Sequence, residues 1–263
     1  EKRYINQLKK DLMDAMGYEK ESVEHLTSTL EFSIPEAKAY YDYIMNRPKI
    51  LIKAPTRSRP EKFKEVILKY IDFLSGKHYV RILVTADLDD ETMNTDEMKQ
   101  WMDDVNDSGK KAGYYELEYK YGNSKSKIEA VNNDMEEEEF DILLLFSDDM
   151  IPQVQDYDDI IVQNMEQHFP ECDGALNFND GLRPDWPRIM TLAILSYPVY
   201  KKMGHIYHPE YKSVYADDEQ TTVCRLLGKL TNLNFCIIRH EWVPGNHPEA
   251  DEMHAKQESA EMY

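Results

Sequence analysis

The chain has 263 residues, of which 41% are hydrophobic, and its 50 acidic and 31 basic residues give a formal charge of −19. This length accommodates one large α/β domain with a small appendage but leaves little room for two full domains. The hydrophobic fraction argues against a disordered protein. The negative charge disfavours nucleic acid and anionic membranes as partners, because the average electrostatic field repels them.

The cysteine content and the apolar runs bear on the cellular compartment. Cys172, Cys224 and Cys236 are an odd number without a CxxC motif, which indicates free thiols in a reducing environment. No stretch approaches the roughly 18 apolar residues that a spanning helix needs, and the N-terminus lacks a signal-peptide pattern. We therefore expect a cytoplasmic protein without a membrane span.

The pattern of apolar and charged residues changes near residue 48. Residues 1–47 are charged, with apolar residues at helical spacing, and predict an N-terminal helical accessory region. From 48 to 247 short apolar runs alternate with amphipathic stretches, which is typical of an α/β domain with a mostly parallel central sheet flanked by helices. Residues 248–263 form a predicted C-terminal tail, and the Glu136–Glu139 run is interpreted as a solvated helix end. The predicted strands are Ile50–Ala54, Tyr79–Thr85, Tyr115–Tyr119 and Ile142–Phe146, with further candidates at Gly174–Phe178 and Phe235–Arg239.

The loop after the first predicted strand carries two arginines. Ligands of an open α/β sheet bind beyond the carboxyl ends of the strands, so residues in this loop are candidates for binding. Arg57 and Arg59, next to a helix that Pro60 begins, would suit an anion or the edge of a nucleobase. On these residues alone, a helix capped by Ser58 with both arginines in solvent is the simpler interpretation.

Three aspartates follow the second predicted strand. Asp87, Asp89 and Asp90 could accept hydrogen bonds from a base N–H and from ribose hydroxyls, as acidic residues do in other nucleotide-binding folds. An ordinary turn, in which an aspartate caps the helix that starts near Thr95, explains them equally well.

The fourth predicted strand ends in a pair of carboxylates. Its unbroken apolar run predicts a strand that is buried on both faces and that leads directly to Ser147, Asp148 and Asp149. Adjacent carboxylates repel one another unless a cation or a basic group balances them. Mg²⁺ or Mn²⁺ would balance them and would also hold the phosphates of a nucleotide.

Other polar candidates lie at helix starts and near the last strand. Lys127, at the beginning of a predicted helix, is a plausible neighbour for a phosphate. Asp217 and Asp218 begin another helix, where acidic residues favour the helix dipole but could also supply a general base. His240 and His247 follow the last predicted strand, and a neutral imidazole there could complete a metal site.

Together these stretches resemble the GT-A glycosyltransferases, in particular the inverting glycosyltransferase family two. The resemblance covers roughly residues 49 to 247, and the matching stretches occur in the family's order. They are residues 54–60, 85–90, 123–127, 146–152 and 216–219.

The resemblance implies a role for each of these stretches. Asp148 and Asp149 would stand in for the family's acid–spacer–acid signature, although Ser147 occupies the position of the first acid. Asp149 is therefore the predicted metal ligand, with Asp148 as its helper, and His247 resembles the third ligand of some members, with His240 as the alternative. The resemblance implies a UDP-sugar donor, and the residues implied to bind it are Pro55, Thr56, Arg57, Arg59, Asp87, Asp89, Lys127 and Asp148.

The resemblance also implies direct displacement at the anomeric carbon with inversion. Asp218, or as the alternative Asp217, would take the proton of the acceptor hydroxyl, and Mn²⁺ or Mg²⁺ would assist departure of the nucleoside diphosphate. Trp186 would line the acceptor pocket, although core packing explains it equally well. A glycan, a small molecule, a lipid head group, a protein and a modified DNA base all remain candidate acceptors.

Two other classes of function compete with this interpretation. A nucleotidyltransferase would share a nucleotide-binding sheet and paired metal carboxylates, but it predicts a glycine-rich phosphate loop after the first strand, and Pro55 to Pro60 contains no glycine. A non-catalytic binding module would use the acidic loops to hold a structural cation.

Overall fold

A computed structural model describes residues 47–136, 138–182 and 186–241. The strands in these ranges are β1 (Lys49–Thr56), β2 (Tyr79–Asp87), β3 (Tyr115–Gly122), β4 (Ile142–Leu145), β5 (Met150–Pro152), β6 (Ala175–Phe178), β7 (Ile194–Ser196), β8 (Leu230–Leu233) and β9 (Ile238–His240). The helices are α1 (Pro60–Asp72), α2 (Asp96–Ala112), α3 (Lys127–Asn132), α4 (Tyr157–His168), α5 (Tyr197–Met203) and α6 (Ala216–Leu226). The N-terminal helices and the C-terminal tail that the sequence predicts lie outside the described residues.

The central sheet is mostly parallel, as predicted. Its strand order is β3-β2-β1-β4-β7-β6-β8, and β1 pairs in parallel with both β2 and β4. Only β7 runs antiparallel to its neighbours β4 and β6 within the described sheet. The carboxyl ends of β1, β2 and β4 therefore lie side by side at one rim of the sheet.

A second, two-stranded sheet adjoins this rim. β5 begins directly after Asp149 and pairs antiparallel with β9, so that Met150 lies opposite His240. This pairing brings the last described strand, far along the sequence, next to the end of β4.

Local signals determine the first helices. α1 begins at Pro60 and buries Phe63, Val66, Ile67 and Tyr70, whose spacing of three and four places them on one helix face. α2 begins after Thr95, whose side chain accepts a hydrogen bond from the Met98 amide at 3.1 Å, and it ends at Gly113 with φ of 79°.

Hydrophobic residues on both faces of the sheet form the core. On one face Ile50, Ile52 and their neighbours pack against α1, α2 and α4. On the other face Leu51, Leu83 and Leu143 pack with residues of α3, α5 and α6. β4 is buried at all four positions, which confirms the prediction from its apolar run.

Two features of the fold differ from the sequence prediction. The predicted strand Phe235–Arg239 is shorter and later, at Ile238–His240, because it pairs with β5 rather than extending the central sheet. The prediction that Glu136–Glu139 is a solvated helix end is wrong for Glu138, which is buried and binds Arg81 at 2.9 Å and Lys120 at 3.4 Å.

The free thiols expected from the cysteine count are confirmed, since Cys172, Cys224 and Cys236 form no disulfide. Among the helices of the described ranges, none has the length and apolar character that a membrane crossing requires.

Candidate active site

The loops after β1 and β2 are joined by a set of charged hydrogen bonds. Arg57 Nη1 donates to Asp87 Oδ2 at 2.7 Å and to Asp89 Oδ1 at 2.8 Å, and Arg57 Nη2 donates to Asp89 Oδ2 at 3.1 Å. The backbone N–H of Ser58, a residue with φ of 63°, donates to Asp90 Oδ2 at 2.7 Å. The interpretation of this loop as a simple helix cap with solvated arginines is therefore wrong, because Arg57 pairs with carboxylates and α1 lacks a side-chain cap.

This pairing keeps Asp89 ionised and orients both Asp87 and Asp89. Hydrogen bonds from Arg57 hold the pKa of Asp89 below its usual range, and hydrogen bonds with Asp89 and Asp87 raise the pKa of the guanidinium. Asp87 is buried, and its second oxygen accepts from the Ser124 amide at 2.8 Å. Its carboxylate is thus fixed between two loops at the rim.

Asp148 is held by the second arginine of the β1 loop. Arg59 Nη2 lies 2.8 Å from Asp148 Oδ1, and the side chain of Asp148 is only 9% exposed. Burial raises the pKa of Asp148, with Arg59 opposing the shift and the neighbouring Asp149 adding to it. Arg59 therefore joins the β1 loop to the carboxylate pair at the end of β4.

Asp149 has the opposite electrostatic character. Burial disfavours its ionisation, but the His240 ring, the Ser147 hydroxyl and the charge of Lys127 outweigh that cost and hold its pKa well below the usual range. Ser147 Oγ donates to Asp149 Oδ1, and His240 Nε2 lies 3.4 Å from Asp149 Oδ2. The two adjacent aspartates therefore differ, and Asp149 is the one held as a carboxylate beside an imidazole.

We refer to Arg57, Arg59, Asp87, Asp89, Asp148, Asp149 and His240 as the strand-end cluster. Lys127, at the start of α3, acts electrostatically on both Asp148 and Asp149. Pro55 and Thr56 end β1 beside the cluster, in register with Thr85 and Ala86 of β2.

Asp217 and Asp218 belong to a second group of residues. They occupy the first turn of α6, and Asp218 Oδ1 lies 3.4 Å from Arg188 Nη2. Trp186, two residues before Arg188, is partly buried, and its indole nitrogen is buried without a hydrogen-bond partner in the described structure. We call Trp186, Arg188, Asp217 and Asp218 the α6 group, in which the Arg188–Asp218 contact joins α6 to the loop before β7.

The residues of the strand-end cluster fit a divalent cation. Within residues 47–136, 138–182 and 186–241 there is no group of three His, Cys, Asp or Glu side chains arranged for a metal. Mg²⁺ and Mn²⁺ sites at nucleotides, however, commonly use one or two protein ligands and complete their shell with phosphate oxygens and water. Asp149 and His240 supply a carboxylate and an imidazole at the same point, while His247 lies outside the described residues.

Sequence reasoning missed two residues that contact the candidate site. Asp180 lies next to the His240 ring, with its Oδ2 3.9 Å from His240 Nδ1. Arg188 contacts Asp218, the residue that the sequence predicts as general base. The only signal for Asp180 is its position in an Asn-Asp-Gly turn, which equally indicates an ordinary loop. Arg188 carries no motif at all.

Comparisons with known proteins address the fold. No family model and no curated protein matches the sequence. Among solved structures, the mannosyltransferase PcManGT from Pyrobaculum calidifontis, in complex with GDP-Man and Mn²⁺, has a TM-score of 0.61 at 13% identity and covers 80% of this chain and 62% of its own.

Two further solved structures are similar in fold to this chain. S. aureus TarS 1-349, in complex with UDP-GlcNAc, has a TM-score of 0.54 at 14% identity and covers 76% of this chain and 60% of its own. Glucosyl-3-phosphoglycerate synthase from Mycobacterium tuberculosis, in complex with Mn²⁺, UDP and glucosyl-3-phosphoglycerate, has a TM-score of 0.51 at 14% identity and covers 87% of this chain and 81% of its own. The chain thus spans about three fifths of the length of the mannosyltransferase and of TarS 1-349. With its mostly parallel sheet and flanking helices, this chain has the GT-A fold of these glycosyltransferases.

Proposed function

We propose that this chain is a metal-dependent glycosyltransferase that moves a sugar from a nucleoside diphosphate donor to an acceptor hydroxyl with inversion. The donor that we propose is a UDP-sugar. The observation that carries the proposal is the strand-end cluster, in which Arg57 and Arg59 join the Asp87 loop to Asp148 and Asp149 at one rim of the sheet. The solved structures of the same fold that bind GDP-Man, UDP-GlcNAc or UDP with Mn²⁺ support it.

The donor would lie across the strand-end cluster. Asp87 and Asp89, oriented by Arg57, would accept hydrogen bonds from the base and the ribose, beside Pro55 and Thr56. Lys127 would neutralise phosphate charge, and Asp149 with His240 would hold Mn²⁺ or Mg²⁺. When bound, the cation would stabilise the negative charge that develops on the leaving diphosphate.

The acceptor would lie beside the α6 group. Asp218 would take the proton from the attacking hydroxyl, with Asp217 as the alternative base, and general-base catalysis of this kind contributes about 10²- to 10⁴-fold. Trp186 would offer an aromatic surface for the acceptor. Arg188, which contacts Asp218 in the structure, would have to release that carboxylate before it could act as a base.

One experiment separates this proposal from its rivals. The protein is incubated with Mn²⁺ and a panel of UDP- and GDP-sugars, and nucleoside diphosphate and pyrophosphate are measured, with EDTA as the metal-free control. Slow release of nucleoside diphosphate that EDTA abolishes is the expected result. Release of pyrophosphate from UTP or GTP, in a parallel incubation with sugar 1-phosphates, would indicate a nucleotidyltransferase, and donor binding without turnover would indicate a binding module.

A further inference from the structure

Asp180 is a buried carboxylate that lies behind the candidate metal-binding imidazole. Its side chain is 3% exposed, and it follows β6 in the loop that leads away from the sheet. Oδ1 accepts from the Leu182 amide at 3.0 Å and Oδ2 accepts from Thr191 Oγ1 at 3.0 Å. These two donors, from separate parts of the chain, hold the carboxylate in a fixed orientation.

His240 lies between this carboxylate and Asp149. Its backbone N–H donates to the Asp180 carbonyl at 2.8 Å, which places the ring next to the Asp180 side chain. Nδ1 lies 3.9 Å from Asp180 Oδ2, and it is buried without a hydrogen-bond partner in the described part of the chain. Nε2 lies 3.4 Å from Asp149 Oδ2. One carboxylate therefore faces each ring nitrogen.

This arrangement has a chemical consequence for metal binding. A histidine that binds a metal through one nitrogen commonly donates its other N–H to a carboxylate, which fixes the ring and increases its basicity. The gap between Nδ1 and Oδ2 exceeds a normal N–H···O hydrogen bond by only about 1 Å, so a small rotation of the ring would close it. Nδ1 would then gain a carboxylate as its hydrogen-bond partner.

We propose that Asp180 is a positioning residue whose carboxylate accepts the Nδ1 proton of His240 and thereby directs Nε2 toward the cation shared with Asp149. This inference rests on the proposed function, because it assumes a cation at Asp149. Asp180 itself does not touch the donor or the cation. Its effect is on the orientation and basicity of the His240 ring.

The test measures Mn²⁺ affinity directly, by electron paramagnetic resonance of free Mn²⁺, with and without saturating UDP. Asp180→Ala is expected to weaken Mn²⁺ binding by about 10- to 100-fold. Asp180→Asn should restore most of the affinity, since the amide oxygen can still accept from Nδ1. The matched control is Asp159→Ala, which removes a carboxylate from another imidazole, His78, before the start of β2 and thus at the opposite rim.

The outcomes distinguish the inference from the proposed function. If Asp149→Asn abolishes Mn²⁺ binding while Asp180→Ala leaves it unchanged, the positioning role is refuted and the proposed function stands. If the wild-type protein binds no Mn²⁺ with or without UDP, the positioning role of Asp180 and the proposed metal dependence both fail. The donor-turnover assay then shows whether the protein transfers sugar without a metal.

A spectroscopic measurement covers the case in which Asp180→Ala does not fold. ¹⁵N NMR of the imidazole in the Mg²⁺-loaded wild-type protein should show the proton of His240 on Nδ1. A proton on Nε2 instead would overturn the inference.

Discussion

Lys53 offers a test of the fold that depends on a single buried charge. It lies within β1 and is completely buried, and its ammonium group donates to Thr85 Oγ1, which in turn donates to Asp134 Oδ2 at 2.6 Å. Burial lowers the pKa of Lys53 from 10.5 to about 8, with the Asp134 charge opposing the shift and the Lys120 charge adding to it. The folded protein therefore holds this proton less tightly than the unfolded chain.

The sign and size of the effect on stability follow from this shift. Between about pH 8 and pH 10.5 the unfolded chain binds the Lys53 proton and the folded protein releases it, so the contribution of Lys53 to the free energy of unfolding rises with pH. At about 1.4 kcal/mol per pKa unit, the full rise is about 3 kcal/mol. Lys53→Met removes the titrating group. The wild type should thus gain about 2 kcal/mol relative to this variant between about pH 7 and about pH 9.5.

Urea denaturation of both proteins at the two pH values, followed by tryptophan fluorescence, measures this difference. Other groups that titrate in this range, such as the buried Cys224 thiol with its pKa raised to about 11, are shared by both proteins and cancel. Lys49→Met, at the largely exposed first residue of the same strand, is the matched control and should show no such change. If the stability difference between wild type and Lys53→Met is the same at both pH values, the pKa of Lys53 is not lowered in the folded protein and the reasoning is refuted.

Three further predictions concern the site. Asp149→Asn should weaken Mn²⁺-dependent binding of UDP, measured by calorimetry, by at least about 10-fold, whereas the exposed control Asp107→Asn should not; normal binding by Asp149→Asn would exclude a ligand role. Asp218→Asn should leave UDP affinity intact while transfer falls by about 10²-fold or more, and full transfer activity would identify another base. Arg57→Ala should weaken UDP binding by about 10-fold, because Asp87 and Asp89 lose the guanidinium that orients them; unchanged affinity would show that these carboxylates do not contact the nucleotide.

The sequence predicts those parts of the fold that have a strong local pattern. The apolar runs of β1, β2 and β4 and the periodic spacing on α1 specify buried elements on their own. The strands β5 and β7 have three residues each and carry no usable period. They exist because partners distant in the chain pair with them, so no window of sequence reveals them.

The same distinction applies to the site. Asp87 and Asp149 could be placed at one rim because parallel strands end at the same edge of a sheet. Their partners could not be predicted, because these depend on particular loop geometry. The left-handed conformation of Ser58 accompanies the hydrogen bond from its backbone to Asp90, between the two arginines, and the pairing of β5 with β9 brings His240 to Asp149.

Ser147 illustrates how a departure from a familiar motif can be compatible with its chemistry. In place of the first acid of the acid–spacer–acid pattern, its hydroxyl donates to Asp149 and helps to keep that carboxylate ionised. A third carboxylate here would add repulsion to a pair that already needs Arg59 on one member and His240 on the other. Because Arg59 is committed to Asp148, the carboxylate of Asp149 is the better placed of the two to share a cation with an imidazole. Asp149 and His240 are therefore the residues that would hold the cation, while the ion pair between Arg59 and Asp148 would stay intact.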